Sequence, residues 1–280
     1  LADSYIVLVD HGHLLRSEGF PKAKEAARKA LELDDTLAEA HTSLGSLLSE
    51  EWNWTAAEEE FAKALRSNPN YVTAHHWYSI HLLSLGRLDD AIRELKIAEE
   101  LDPLSPMIRS YGGGYVYLFA RQYDAALAEL DKALELDPNF APAHAFRADL
   151  YLAKSMFGEA LAEIERVLPL LPAGMKPWLG SFYSIAGRIE EAKQILRECE
   201  EASAHVCDED VPLYSQFLAI IHSRLGNKDR AFEWLEKAFK ARTTTPFEVK
   251  FDPFFDQITS DPRFDELMKK TVGSRALTQE

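Results

Sequence analysis

The chain has 280 residues, of which 46 are acidic and 31 basic, and its formal net charge is −15. This balance argues against nucleic acid and anionic membranes as partners, because both require a basic surface, and it favours a neutral or basic partner. The longest apolar runs fall well short of the ~18–20 residues that cross a bilayer, so no membrane insertion is predicted within this segment.

Alanine recurs along the chain at a nearly constant interval. The copies are Ala23, Ala57, Ala91, Ala126, Ala160, Ala192 and Ala231, and the intervals are 34, 34, 35, 34, 32 and 39 residues. A period near 34 residues is typical of helix–turn–helix repeats that stack into an array. The predicted repeats span residues 4–37, 38–71, 72–105, 107–140, 141–172, 173–206 and 212–245.

The fourth repeat illustrates the pattern. Its predicted first helix covers residues 107–119 and its second covers 124–136, where Ala126, Leu130 and Ala133 define one apolar face. Pro138 follows directly, where a helix must stop. The other second helices repeat a small residue, then a larger one (Phe61, Leu95, Ile164, Leu196 and Leu235), then a second small one (Ala30, Ala64, Ala98, Val167, Cys199 and Ala238).

These columns resemble the tetratricopeptide repeat, and the stretches AHTSLGSLL, ALAELDKALELDP and GNKDRAFEWLEKAF carry the resemblance best. It covers residues 4–245 and implies an all-α, right-handed α-solenoid of seven repeats. One departure lies before the second helix, where the family favours glycine. Gly86, Gly187 and Gly226 follow the pattern, whereas Trp52, Arg121 and Ser155 replace glycine elsewhere.

The C-terminal region follows a different pattern. Asp261 before Pro262 predicts the start of a helix, and Phe264, Leu267 and Met268 give it one apolar face. We therefore expect residues 246–270 to form a C-terminal cap and residues 271–280 a flexible tail. The stretch resembles the end of tetratricopeptide arrays in large bacterial proteins. Because the sequence opens at Leu1 already in a helical pattern, we expect a segment of such a protein.

Several residues suggest chemistry, but each has a structural interpretation that we prefer. His41, His75 and His144 occupy one repeat position, which places them on successive helix pairs instead of around one metal. The glycines of Tyr111-Gly-Gly-Gly-Tyr115 lie inside a predicted helix without the Lys-Ser/Thr of a phosphate loop. The acidic stretch Asp208–Asp210 reads as a solvated loop, and Cys199 as a small buried residue, with a bridge to Cys207 as the alternative. We predict no catalytic residue, metal or cofactor.

The resemblance implies that the first helices line a concave groove. The groove-facing positions are Thr73, His76, Ile80 and Leu83 in the third repeat; Ile108, Tyr111, Tyr115 and Leu118 in the fourth; and Ala145, Asp149 and Leu152 in the fifth. From these we select His76, Ile80, Tyr111, Tyr115, Leu118 and Asp149 as the ligand groove. The alternative is that Tyr111 and Tyr115 belong to the core, which their burial can decide.

The expected function is protein–protein interaction, with a neutral to basic protein or peptide segment bound in the groove. This matches a scaffold or sensory module of a larger bacterial regulatory protein. Two alternatives remain at this point, a passive oligomerisation arm and an enzyme. The expected location is the cytoplasm, or the extracytoplasmic part of a membrane-anchored regulator.

Overall fold

The computed structural model describes residues 1–10, 13–170, 175–203 and 215–272, and this part of the chain is helical without a β-strand. The helices in chain order are α1 (Ala2–Asp10), α2 (Arg16–Leu33), α3 (Ala38–Glu50), α4 (Trp54–Ser67), α5 (Val72–Ser84), α6 (Leu88–Leu101), a π helix (Ile108–Gly114) continued by α7 (Tyr115–Phe119), α8 (Tyr123–Leu136), α9 (Ala141–Ala153), α10 (Phe157–Val167), α11 (Lys176–Ile185), α12 (Ile189–Ser203), α13 (Gln216–Arg224), α14 (Lys228–Lys240), α15 (Pro246–Phe251), α16 (Asp256–Thr259) and α17 (Pro262–Val272). The predicted all-α class is confirmed.

Consecutive helices pack in pairs, as the period requires. Helix α1 packs on α2, α3 on α4, α5 on α6, and the π helix with α7 packs on α8. Helices α4, α6 and α8, the second helices of the last three of these four pairs, each end two residues before a proline. The prolines are Pro69, Pro103 and Pro138. Proline cannot continue a helix, so the sequence itself sets these ends. The number of seven repeats and their boundaries stay predictions.

The small-residue columns lie where two helices of a pair cross. Ala57, Ala91, Ala126 and Ala160 are fully buried, and Cys199 is buried as well. The first helices contribute glycines at the same crossings. A Cβ on Gly45 would lie 3.2 Å from Phe61, and a Cβ on Gly114 would lie 2.6 Å from Leu130. The predicted alternative, a bridge from Cys199 to Cys207, lies outside the described residues, as does the acidic stretch 208–210.

The turn between the two helices of a pair uses a left-handed residue. Gly86, Gly187 and Gly226 have φ of 74–80°, and Trp52, Arg121 and Ser155 adopt φ of 56–59° at the equivalent place. The turn geometry is therefore kept even where glycine is replaced. A left-handed conformation strains any residue that carries a Cβ, so these three turns store backbone strain.

The first helix of the fourth pair departs from α geometry, because residues 108–114 form a π helix. The sequence explains this π helix. The interval from Ala91 to Ala126 is 35 residues, whereas the intervals before and after it are 34 residues each. One extra residue in an α-helix widens one turn into a π turn. Because of this extra residue, Arg109 and Glu129 are 20 positions apart in the sequence, whereas the equivalent residues His75 and Glu94 are 19 positions apart.

The chain divides into two compact units, residues 1–150 and 151–280, and the division falls within α9. In the second unit α17 packs on α14 and buries Phe264, Leu267 and Met268, the apolar face expected of this helix. The helix runs through Val272, two residues beyond the expected end of the cap, and residues 273–280 lie outside the described part. Helix α15 begins with a capping box between Thr245 and Glu248.

Candidate functional site: the face of the first helices

Four of the six predicted groove residues keep accessible surface. Ile80 of α5, Tyr111 of the π helix, Tyr115 of α7 and Asp149 of α9 are all half-buried. Both tyrosines keep some accessible surface, although burial raises the pKa of the Tyr111 hydroxyl. All four lie in the compact unit of residues 1–150, on successive first helices.

The other two predicted groove residues are buried, and this corrects the prediction. Leu118 is only 4% exposed and His76 is 8% exposed. Leu83, Ile108 and Leu152, which the same register selected, are buried too. The physical reason for His76 is the tight packing around the glycines, because its ring edge lies against Gly112, 3.8 Å from the place of a Cβ. Neither His76 nor Leu118 is open to a ligand in this structure.

Two further aromatic residues belong to this surface and were missed. Trp77 and Phe146 are half-buried, and they stand 34 residues before and 35 residues after Tyr111. Because Ile80, Tyr115 and Asp149 recur at intervals of 35 and 34, two parallel columns result. We call Trp77, Ile80, Tyr111, Tyr115, Phe146 and Asp149 the first-helix face. The recurrence of an aromatic residue at the repeat period was the signal that would have found Trp77 and Phe146.

The aromatic rings of this face touch one another. Tyr111 meets Phe146 edge to face with ring centroids 5.1 Å apart, and Tyr115 lies 5.7 Å from the same ring. Tyr115 also packs on the buried Phe119 at 4.6 Å. Aromatic pairs at these separations hold each other in place. The result is a stiff, partly open apolar surface.

Two carboxyl groups belong to this surface or lie near it. Asp149 is part of the face itself. Burial raises the pKa of Tyr111, and the negative charge of Asp10 raises it further. The side chain of Asp10 has exposed surface, but the protein atoms around it exclude enough water to raise its pKa to about 7; Glu50 adds to this shift and Arg16 opposes it. A pKa near 7 leaves this carboxyl only partly ionised at neutral pH, and a cation placed beside it would favour its charged form.

The recurrent histidines hold the helix pairs together. His41 Nδ1 lies 2.6 Å from Glu60 and its Nε2 lies 2.9 Å from the carbonyl oxygen of Asp35. In the fourth pair Arg109 takes this place and donates to Glu129 and to the carbonyl oxygen of Pro103. Each side chain lies on the first helix of a pair, and it connects the second helix of that pair to the turn before the first helix. Within the described ranges, no group of His, Cys, Asp and Glu side chains has the arrangement of a metal site.

In the part of the chain that the structure describes, no helix combines the length and the apolar character that a bilayer crossing requires.

The family follows from comparison with known proteins. The profile of the tetratricopeptide repeat matches residues 42–106, 111–174, 178–205 and 214–244. These matches cover more than half of the chain, which therefore belongs to the tetratricopeptide-repeat family. Proteins of this family are protein-interaction scaffolds.

Individual relatives match parts of the chain. Anaphase-promoting complex subunit 3 of Schizosaccharomyces pombe is 26% identical over 172 residues, which are 61% of this chain and 25% of that protein. Tetratricopeptide repeat protein 5 of Bos taurus is 29% identical over 180 residues, 56% of this chain and 40% of that protein. The chain thus spans less than half the length of either relative. Type IV pilus assembly protein PilF of Pseudomonas aeruginosa is 32% identical over 139 residues, 49% of this chain and 54% of PilF.

Two solved structures share the fold. The structure of Pseudomonas aeruginosa PilF superposes with a TM-score of 0.52 at 24% identity, covering 73% of this chain and 93% of that one. A tetratricopeptide repeat protein from Parabacteroides merdae superposes with a TM-score of 0.57 at 15% identity, covering 96% of each chain. At these identities the likeness concerns the fold alone.

Proposed function

We propose that this chain binds an extended segment of a partner protein along the first-helix face, as the scaffolding or sensory part of a larger bacterial regulatory protein. The observation that supports this proposal best is the half-buried aromatic cluster of Tyr111, Tyr115 and Phe146. Monomeric proteins seldom leave such a cluster open without a use, and tyrosine is favoured where interfaces concentrate their binding energy. The likeness to a bacterial pilus assembly protein supports the bacterial context.

The charges favour a neutral to basic segment. The whole chain carries −15, Asp149 belongs to the first-helix face, and Asp10 lies near enough to Tyr111 for its charge to raise the pKa of that tyrosine. A lysine or arginine of the partner gains from these carboxylates and from the faces of the tyrosine rings. Apolar side chains of the same segment fit on Phe146 and Ile80, and the two columns give such a segment its direction.

Selection from a peptide library tests binding before any natural partner is identified. A library of random 12-residue peptides is selected on the whole chain, and the affinity of the enriched peptides is measured by calorimetry. The double substitution Tyr111→Ala with Tyr115→Ala should then weaken binding by about 2 kcal/mol or more, close to a 30-fold rise in Kd. Tyr123→Ala, a half-buried tyrosine outside the first-helix face, is the matched control and should leave the Kd unchanged.

The result that would overturn the proposal is equally direct. If enriched peptides bind the double variant as tightly as the unaltered chain, the first-helix face is not the binding surface. An enrichment of acidic peptides would contradict the charge preference while leaving the surface in place. Because both rings pack on Phe146 and Tyr115 also packs on Phe119, circular dichroism and thermal unfolding of the double variant must show that it is folded at the temperature of the binding experiment.

A second candidate function is self-association, and a separate observation favours it. Helix α1 and its flanks expose four apolar side chains, Leu1, Val7, Leu8 and Leu15. Contiguous exposed apolar side chains of this kind mark interaction surfaces. Sedimentation of the chain over a hundredfold range of concentration tests this function, with Val7→Ser and Leu8→Ser expected to abolish any dimer. A single monomer species at every concentration would exclude it.

A further inference from the structure

The residue that makes the π turn can be located from its neighbours. Gly112 faces Leu95 of the preceding second helix, as Tyr78 faces Phe61 one pair earlier. Gly114 faces Leu130 of its own second helix, as Gly45 faces Phe61. The helix therefore matches the register of the other pairs both before and after Gly113. Gly113 itself has no counterpart in those pairs and is the extra residue. A Cβ on Gly113 would lie 2.6 Å from the Cβ of Glu129 and 3.3 Å from Glu99 Oε1.

Buried polar atoms without partners gather around this turn. Among the residues that the structure describes, Ser110 Oγ, His76 Nε2 and Glu99 Oε1 are buried and lack a hydrogen-bond partner. Ser110 belongs to the π helix, His76 packs on Gly112 and Glu99 lies against Gly113. Unsatisfied polar atoms and consecutive helical glycines each destabilise a local structure. Such a concentration at one turn marks a segment of low local stability and a place where another arrangement can compete.

The turn and the first-helix face share one helical segment, because Tyr111 and Tyr115 flank the three glycines. We infer that the π turn at Gly113 is a hinge that opens and recloses in the ligand-free protein, and that partner binding on Tyr111 and Tyr115 selects one of its arrangements. The second half of this inference rests on the proposed function, whereas the first half does not. The hinge regulates how the two tyrosines are presented, so binding and backbone order are linked.

Hydrogen exchange of the ligand-free chain tests the hinge itself. The amides of residues 110–118 should exchange at least about tenfold faster than the amides of residues 76–83, their counterparts in α5, because low local stability allows frequent opening. Exchange at equal or slower rates would overturn the inference outright. This comparison needs no variant and therefore does not depend on whether a variant folds.

Deletion of Gly113 tests its assignment as the extra residue. The deletion restores the 34-residue interval and should turn residues 108–119 into a continuous α-helix whose amides exchange about tenfold more slowly than before. The matched control inserts one glycine between Tyr78 and Ser79, the equivalent place in α5, and should accelerate exchange there. If the deletion leaves the exchange of residues 110–118 fast, Gly113 is not the source of the hinge.

The link to binding is measured with the peptide enriched on the unaltered chain. The deletion variant should bind it with a Kd about tenfold higher, because the tyrosines lose their adjustable support. Unchanged affinity together with slowed exchange would overturn the link to binding and leave the proposed function intact. If instead the Tyr111→Ala, Tyr115→Ala variant also binds normally, the proposed function fails, and the exchange experiment alone decides the hinge.

Discussion

His75 lies between two acceptors, with its Nδ1 atom 2.7 Å from the carboxylate of Glu94 and its Nε2 atom 2.9 Å from the carbonyl oxygen of Pro69. Neither a carboxylate nor a carbonyl can donate, so the ring satisfies both only by donating from both nitrogens. That requires the imidazolium form. Burial lowers the pKa of His75, but the bonds to Glu94 and Pro69 outweigh it and the net shift is upward.

The first prediction concerns this imidazolium. Because the folded-state pKa exceeds the ordinary value near 6.5, its contribution to stability is complete below that pH and disappears as the pH rises through the raised pKa. His75→Gln should therefore cost about 1–3 kcal/mol in urea unfolding at pH 5.5 and clearly less at pH 8.5. The exposed His13, changed to Gln, serves as the control. A cost that is equal at both pH values would show that His75 acts as a neutral packing residue.

The second prediction concerns the strained turns. Ser155 is exposed and adopts φ of 59°, so Ser155→Gly should stabilise the fold by about 0.5–1 kcal/mol, since release of strain exceeds the entropic cost of glycine. Ser46→Gly inside α3 should destabilise by a similar amount because no strain is released there. Thermal unfolding of both variants gives the comparison. Destabilisation by Ser155→Gly would mean that the left-handed conformation is not kept in solution.

The positions of these turns were predictable, because Trp52, Arg121 and Ser155 stand where the repeat places glycine. The alanine columns and the helix ends before proline followed from the sequence for the same reason: short-range geometry repeats with the period. The π helix was not foreseen, although the 35-residue interval indicated an extra residue. An interval alone does not reveal whether a loop or a helix absorbs that residue.

The third prediction tests the helix crossings. Ala126 is fully buried, so Ala126→Leu should destabilise the chain by about 1–3 kcal/mol through overpacking. Ala128→Leu on the exposed side of α8 adds the same atoms without a clash and should be nearly neutral. Urea unfolding measures both. Equal stability of the two variants would contradict the assigned crossing.

The fourth prediction concerns a carboxyl at an apolar position. Glu99 stands one period from Leu65 and from Leu134, and burial, followed by the charge of Glu129, raises its pKa to about 7. The folded state therefore holds a proton that the unfolded state releases near pH 4.5, and stability falls as the pH rises from about 4.5 through 7. Glu99→Gln should remove this loss and stabilise the fold by about 1 kcal/mol at pH 8.

At pH 4 the same Glu99→Gln substitution should be almost neutral, because Glu99 is protonated in both states. Glu100→Gln, at an exposed neighbouring position, is the control. If the benefit of Glu99→Gln does not change between pH 4 and pH 8, the side chain stays ionised and solvated. The sequence shows a glutamate at a position where other repeats have leucine. The raised pKa of Glu99 follows only from the burial of its side-chain oxygen, which the sequence does not reveal.

The candidate site was only partly predictable, and the reason lies in how a helix is rotated. Register counting found Ile80, Tyr111, Tyr115 and Asp149, which remain accessible. It also selected His76 and Leu118, because spacing does not reveal how closely the neighbouring helix approaches. At the glycines that approach is close, so His76 is covered, while Trp77, the next residue along α5, reaches the surface.

The place of Trp77 has an optical consequence. Of the five tryptophans, Trp178 and Trp234 are buried, Trp52 and Trp54 stack on each other, and Trp77 belongs to the first-helix face. Its side chain is only partly covered by protein, so its emission responds when the remaining contact with water is removed. A chain in which the other four tryptophans are changed to phenylalanine would therefore report occupancy of this face by a shift of its own fluorescence to shorter wavelength, without any attached dye.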